Sequence, residues 1–231
     1  MPETPILLLP YPADPDPADI PADMGELALR VEAVRGAPNG LAGLDVNGQL
    51  PAAQRGPIGL VTALPAPTSD GQEVLLTDNL AVPGYMWRLR WNAADGRWGY
   101  VGGYPARHLV ATQETTTSIG SMVNLATVGP RVTVPKQGDY SVRFGATVID
   151  SAADSQIILG VGVGDFAAGA QLGEARGHIS TANYHLTIVG EAYLVNVAAG
   201  AEIRVKYQHT IAGTLTVLNR YLYVTPARII Q

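Results

Sequence analysis

A chain of 231 residues with 47% apolar and only 15% charged side chains is apolar enough to fold, and its formal charge of −5 argues against nucleic acid, which is held by Lys and Arg. The absence of cysteine excludes disulfides, thiolate metal sites and a cysteine nucleophile. The longest uncharged apolar run, around Ile157 to Gly164, falls short of the ~20 residues of a membrane helix. The run Ile6-Leu7-Leu8-Leu9 lacks the preceding Lys or Arg of a signal peptide, so neither membrane insertion nor secretion is expected.

Residues 1–18 contain six prolines, which fix φ and remove donors, so this segment is expected to be an extended arm without a core of its own. Such a segment is either a free tail or a docking peptide. Docking, with Leu9, Pro10, Tyr11 and Pro12 as its contact residues, is the expectation here.

Residues 19–36 are predicted to form a helix. Asp23 and Glu26 have capping-box spacing, Pro21 would suit a first helical position, and Gly36 is a stop signal. Ile20, Met24, Leu27, Val31 and Val34 recur at spacings of 4, 3, 4 and 3, the seam of a coiled coil. An amphipathic helix lying on its own domain would show the same stripe. A helix this short is marginal alone, however, and it stands between a Pro-rich arm and a Gly-rich linker. Self-association into a short trimeric coiled coil is therefore expected.

Residues 37–57 carry the turn dipeptides Asn39-Gly40 and Asn47-Gly48 and too few apolar residues for a domain, the composition of a linker or of a stalk wound from several copies. Within them, Gly40-Leu41-Ala42-x-Leu44-Asp45-x-Asn47-Gly48-Gln49-Leu50-Pro51-Ala52-Ala53-Gln54 resembles the GLAxLDxxGxLPxxQ element of bacteriophage tail-fibre and minor-tail proteins. The preceding LPYPADPDPADIPADM resembles the N-terminal arms of virion fibre proteins. The resemblance covers about residues 8–54 and implies a virion part, with the arm bound to other phage structural proteins.

Residues 58–108 are read as a small β-module with strands at Glu73 to Thr77, Tyr85 to Trp91 and Arg97 to Val101, and a hairpin at Asp95-Gly96. All three tryptophans lie here. They form either a core or a sugar-stacking platform, and core is expected because a module of about fifty residues has few other means of making one. The run of phrases through this module also resembles a β-unit common in phage tail proteins.

Residues 109–231 are read as a β-sandwich. Strands are predicted from Gly138 to Ile149, Ile157–Val163, His185–Val197, Ile203–His209 and Leu215–Val224, with turns at Pro135 to Gly138, Ala199-Gly200 and Ala212-Gly213. The phrases VPKQGDYSVRF, VNVAAGAEIRVKY and LNRYLYVTPARI resemble the complement-type and tumour-necrosis-factor-type jelly roll, which implies assembly as a trimer. The fold class expected is thus mainly β: arm, short coiled-coil helix, small β-module and jelly-roll-like sandwich.

Chemistry is sparse. His108, His178, His185 and His209 show no metal-ligand spacing; clustering of three across a trimer axis is left open. Asp150, Asp154 and Asp165 fall in Gly/Ala/Ser-rich segments where Asp serves turns, and no nucleophile elbow, phosphate loop or dinucleotide fingerprint is present. No catalytic, cofactor or metal site is expected. The function anticipated is a structural subunit on the surface of a phage particle assembled in the host cytoplasm. It would be a short homotrimeric fibre or spike contacting a host glycan or protein through loops Asp150–Ser155, Phe166–Gly173 or Ala175–Tyr184. Alternatives are a head-fibre, decoration or collar protein without receptor recognition and, third, a polysaccharide depolymerase.

Overall fold

Alternation of apolar and polar side chains dominates the second half of the sequence, and the computed structural model turns that alternation into two stacked sheets. Residues 58–230 are described, together with Leu29, which is helical and exposed. The arm with Leu9, Pro10, Tyr11 and Pro12, the seam of Ile20, Met24, Leu27, Val31 and Val34, and the stalk at 37–57 lie outside the described residues.

The strands are β1 (Leu60–Val61), β2 (Glu73–Thr77), β3 (Met86–Asn92), β4 (Arg97–Tyr104), β5 (Ala106–Val110), β6 (Glu114–Thr116), β7 (Arg131–Thr133), β8 (Gly138–Asp150), β9 (Ser155–Val163), β10 (Gly173–Ile179), β11 (His185–Val197), β12 (Glu202–His209) and β13 (Leu215–Ile230). The larger sheet runs β1-β2-β3-β4-β13-β8-β11, with β5 and β6 also paired to β13; the smaller runs β10-β9-β12-β7. From β7 onward the chain passes repeatedly between the sheets, so sequential strands are seldom sheet neighbours. Antiparallel order β13-β8-β11 facing β7-β12-β9-β10 makes residues 106–230 a jelly-roll sandwich.

The core lies between these sheets. Tyr140, Val142, Phe144, Ala146 and Val148 of β8 face Ile157, Leu159 and Val161 of β9 and Ile203, Val205 and Tyr207 of β12, all buried in one cluster. The long strand β13 serves this core only because it changes phase. Leu215 and Val217 point inward, then Asn219 adopts φ 50° and the register slips, so that Arg220, Leu222 and Val224 point inward instead. A second slip between Pro226 and Arg228 turns Ile229 inward. Each extra residue is a bulge that flips the inward set, as the two-residue period of a strand requires.

The tryptophans are core. Trp87 and Trp98 are fully buried, with Trp91 packed 5.6 Å from Trp98 and Tyr85 stacked 4.2 Å from Trp87. The separation of residues 58–108 from 109–231 does not describe this packing: position 108/109 falls inside β5, β4 pairs with β13 through Gly99 and Arg228, and Trp87 lies 6.1 Å from Tyr140 of β8. The described residues 58–230 belong to one compact unit. The physical reason is size: strands β2 to β4 are too few to enclose two indoles, and β8 and β13 complete their burial.

Three buried charges tie distant segments together. Asp139 accepts from the Asn196 amide at 2.8 Å and pairs with Arg228 at 2.8 Å, joining β8, β11 and β13. Lys206 reaches Asp165 at 2.6 Å and the Phe166 carbonyl at 2.5 Å. Arg220, at 1% exposure, pairs with Glu114 at 3.0 Å and donates to the carbonyls of Thr127, Gly129 and Thr112, fixing the segment before β7 onto β13.

Candidate assembly surface

Register decides what the outer face of the larger sheet shows. Across β5, β13, β8 and β11, Leu109 stands opposite Tyr221, Tyr221 opposite Gly145, and Gly145 opposite Val189. The next row is Arg107, Tyr223, Arg143 and Glu191, and the one after that Thr225, Ser141 and Tyr193. The solvated face of an antiparallel sheet ordinarily carries polar residues. Here the first of these rows is apolar and aromatic, with Leu109 55% and Val189 47% exposed; the Tyr221 ring lies 5.4 Å from that of Tyr223 in the charged row, and Tyr193, 52% exposed, stands beyond that row.

Gly145 has a steric reason to be glycine. A Cβ there would stand 2.6 Å from the Tyr221 hydroxyl oxygen and 2.7 Å from the Ile188 carbonyl, so the phenol lies flat across β8 only because no side chain intervenes. Two shallow hollows lie beside Tyr223. One, of about 240 Å³, is lined mainly by Leu109, Val110, Ala111 and Tyr221; the other, of about 360 Å³, by Pro105, Ser141, Arg143, Glu191 and Thr225. Arg143 and Glu191 face each other at 3.7 Å, both well exposed. Arg107 makes no ion pair among the described residues, so it keeps its charge available at the edge of this face.

The three loops expected to contact a host are not one surface. The connections after β8, β10 and β12 gather at one end, where the Ser151 amide donates to the Thr214 carbonyl at 3.1 Å and the Asn183 amide to the Asp150 carbonyl at 2.7 Å. The Phe166–Gly173 loop follows β9 at the other end, where the Gly164 amide meets the Glu202 carbonyl at 2.8 Å. Phe166 is buried, and so are Asp150 and Ser155; the first loop therefore offers only Ser151 to Asp154. Ala175 to Ile179 belong to strand β10, which leaves Ser180 to Tyr184 as loop.

Asp150 instead organises a buried polar cluster that sequence spacing could not announce. Its carboxylate accepts from Ser155 Oγ at 2.7 Å and the Ala152 amide at 3.0 Å, and pairs with His209 Nδ1, 59 residues away, at 2.9 Å. Burial pushes its pKa up, but the hydrogen bonds from Ala152, Ser155 and His209 outweigh burial and hold it below the ordinary value. Ser, His and Asp together invite comparison with a hydrolytic triad, yet Ser155 bonds the carboxylate and not the imidazole. His209 is wholly buried, with Nε2 unpartnered, so no substrate atom can reach it.

The other histidines stand apart. His108 Nδ1 accepts from the Arg131 amide at 3.0 Å, His178 lies 4.0 Å from Asp154 on the surface, and His185 is exposed at the start of β11. Among the described residues no three His, Cys, Asp or Glu side chains converge as metal ligands would.

No protein family and no curated protein matches the chain. Among solved structures, Eiger TNF from S. frugiperda is similar over 52% of this chain and 90% of its own, with 13% identity and a TM-score of 0.38. A CocE/NonD family hydrolase from Staphylococcus aureus is similar over 67% of this chain but only 38% of its own, with 9% identity and a TM-score of 0.33. At such scores neither likeness adds to what strand order and core already establish, a mainly β chain ending in a jelly roll.

Proposed function

We propose that the chain is a non-enzymatic structural subunit of a bacteriophage particle, a short homotrimeric fibre or spike whose copies meet through the outer face of the larger sheet. Its jelly roll would face outward and its N-terminal arm would dock on other phage structural proteins. The observation that carries the assembly is the apolar row of Leu109, Tyr221 and Val189, with Leu109 and Val189 solvent-exposed and Tyr221 half-buried in a single copy. Exposed contiguous apolar surface of this kind marks an interaction site. The occupant is a second and third copy because the sequence supplies another self-association signal, the 4-3-4-3 seam at Ile20 to Val34. The phage assignment draws on the GLAxLDxxGxLPxxQ resemblance at residues 40–54.

The test is the solution mass of the purified full chain by light scattering, with Val189→Arg as the comparison. A mass three times the 24.3 kDa of one chain, falling in the variant with an unchanged circular dichroism spectrum, is the expected result. A monomer at tens of micromolar chain would overturn the assembly. Failure to find the chain in purified phage particles that encode it would overturn the virion role.

A further inference from the structure

A cleft of about 600 Å³ opens where the turn between β2 and β3 meets β5 and β7, within the size range of small-ligand sites. Its polar lining includes Asp78, Tyr85, Arg107, His108, Arg131 and Glu202. Some of this lining is already committed. Arg131 pairs with Glu202 at 3.0 Å, its amide donates to His108 Nδ1, and the Gly84 amide donates to Asp78 Oδ1 at 2.7 Å.

What remains uncommitted points at a ligand. Tyr85 is only 7% exposed, its ring stacked on Trp87, yet its hydroxyl has no hydrogen-bond partner among the described residues and Tyr85 lines the cleft. Burial, with Asp78 adding to it, pushes the phenol up to about 12, so at neutral pH the hydroxyl keeps its proton and can donate. With Nδ1 accepting, neutral His108 carries its proton on Nε2, a second donor. Asp78 Oδ2 remains an acceptor, and the Arg107 guanidinium is without a partner among the described residues.

The charges of Asp78 and Glu202 cancel those of Arg107 and Arg131, so an anion or a cation would each face two like charges. An apolar ligand would strand Tyr85, Asp78 and Arg107 without water. A neutral molecule dense in hydroxyls, each both donor and acceptor, satisfies all of them. We propose that this cleft binds a short neutral oligosaccharide, with Tyr85, Asp78, His108 and Arg107 hydrogen-bonded to its hydroxyls. The proposal rests on the phage-surface reading above, gives a ligand class to the host contact anticipated from the sequence, and places that contact in this cleft instead of the loops after β8, β9 and β10. It needs one copy only.

Calorimetric titration of the full chain with cellobiose, maltose, lactose and N,N′-diacetylchitobiose, and with glucuronate and glycine as charged and zwitterionic controls, tests it. At least one neutral sugar is expected to bind with a millimolar or lower Kd, and neither control. Tyr85→Phe keeps the stacked ring and Arg107→Gln alters an exposed side chain, so both variants should fold. Each is expected to weaken the sugar about tenfold, the scale of one lost hydrogen bond to a bound ligand. Val189→Arg is expected to leave the affinity unchanged, which separates this site from the assembly. The proposal fails if no neutral sugar binds at tens of millimolar, if glycine or glucuronate binds instead, or if binding survives both cleft substitutions.

Discussion

Asp150→Ala is the sharpest probe of the fold. The carboxylate and His209 are both wholly buried, and three donors converge on it: Ser155 Oγ, the Ala152 amide and His209 Nδ1. Removing one partner of a buried pair typically costs about 3–5 kcal/mol, because the donors left behind stay desolvated and unpaired. With a urea slope of about 2 kcal/mol/M for a unit of this size, the unfolding midpoint should drop by about 2 M at fixed chain concentration. Asp150→Asn keeps one acceptor oxygen, for the Ala152 amide at the Oδ1 position or for Ser155 and His209 at the Oδ2 position but not for both, so it should cost less than Ala. The pH dependence has a definite sign. The folded pKa of Asp150 lies below its unfolded value, so its contribution is fully present above about pH 4 and is lost as pH falls through the folded pKa. The gap between wild type and Asp150→Ala should therefore close on acidification. A midpoint shift under about 0.5 M, or equal losses for Asn and Ala, would refute the view that this cluster holds β8 to β9 and β12.

Gly145→Val should cost about 1–3 kcal/mol by displacing the Tyr221 phenol, and should lower the solution mass of the assembled chain, both measurable on one preparation. Arg220→Lys should destabilise by about 2 kcal/mol in urea, because one ammonium cannot serve Glu114 and three carbonyls that a planar guanidinium spans. Trp98→Ala should cost about 3–5 kcal/mol, a loss a surface platform would not show.

What the sequence disclosed was whatever obeys a local period. Strands β8, β11 and β12 alternate cleanly and were placed to within a residue or two, as was the Asp95-Gly96 turn, where Gly96 has φ 62°. Strand β13 was legible only to Val224, since its inward set flips at Asn219 and again after Pro226. Strands β5, β6 and β7 are three to five residues long, too short for any period to stand out, and β10 has Gly173 and Gly177 where a Cβ would strike β11 or β9 side chains. The Asp150–His209 pair and the facing of Leu109, Tyr221 and Val189 depend on strands brought together from far apart in the chain, which no window of sequence contains. The tryptophans were readable as core because three of them in one short stretch have nowhere else to go.

Strand β13 sits between β4, β5 and β6 on one side and β8 on the other, and the ribosome makes it after all of them. Until it emerges, the indoles of Trp87 and Trp98 and the inner row of β8 have no lid, and the earlier strands cannot settle in sequence as they appear. The larger sheet can therefore be completed only as a late event, once β13 has been made. A fragment stopping short of Leu215 should stay unfolded however much of the sandwich it contains.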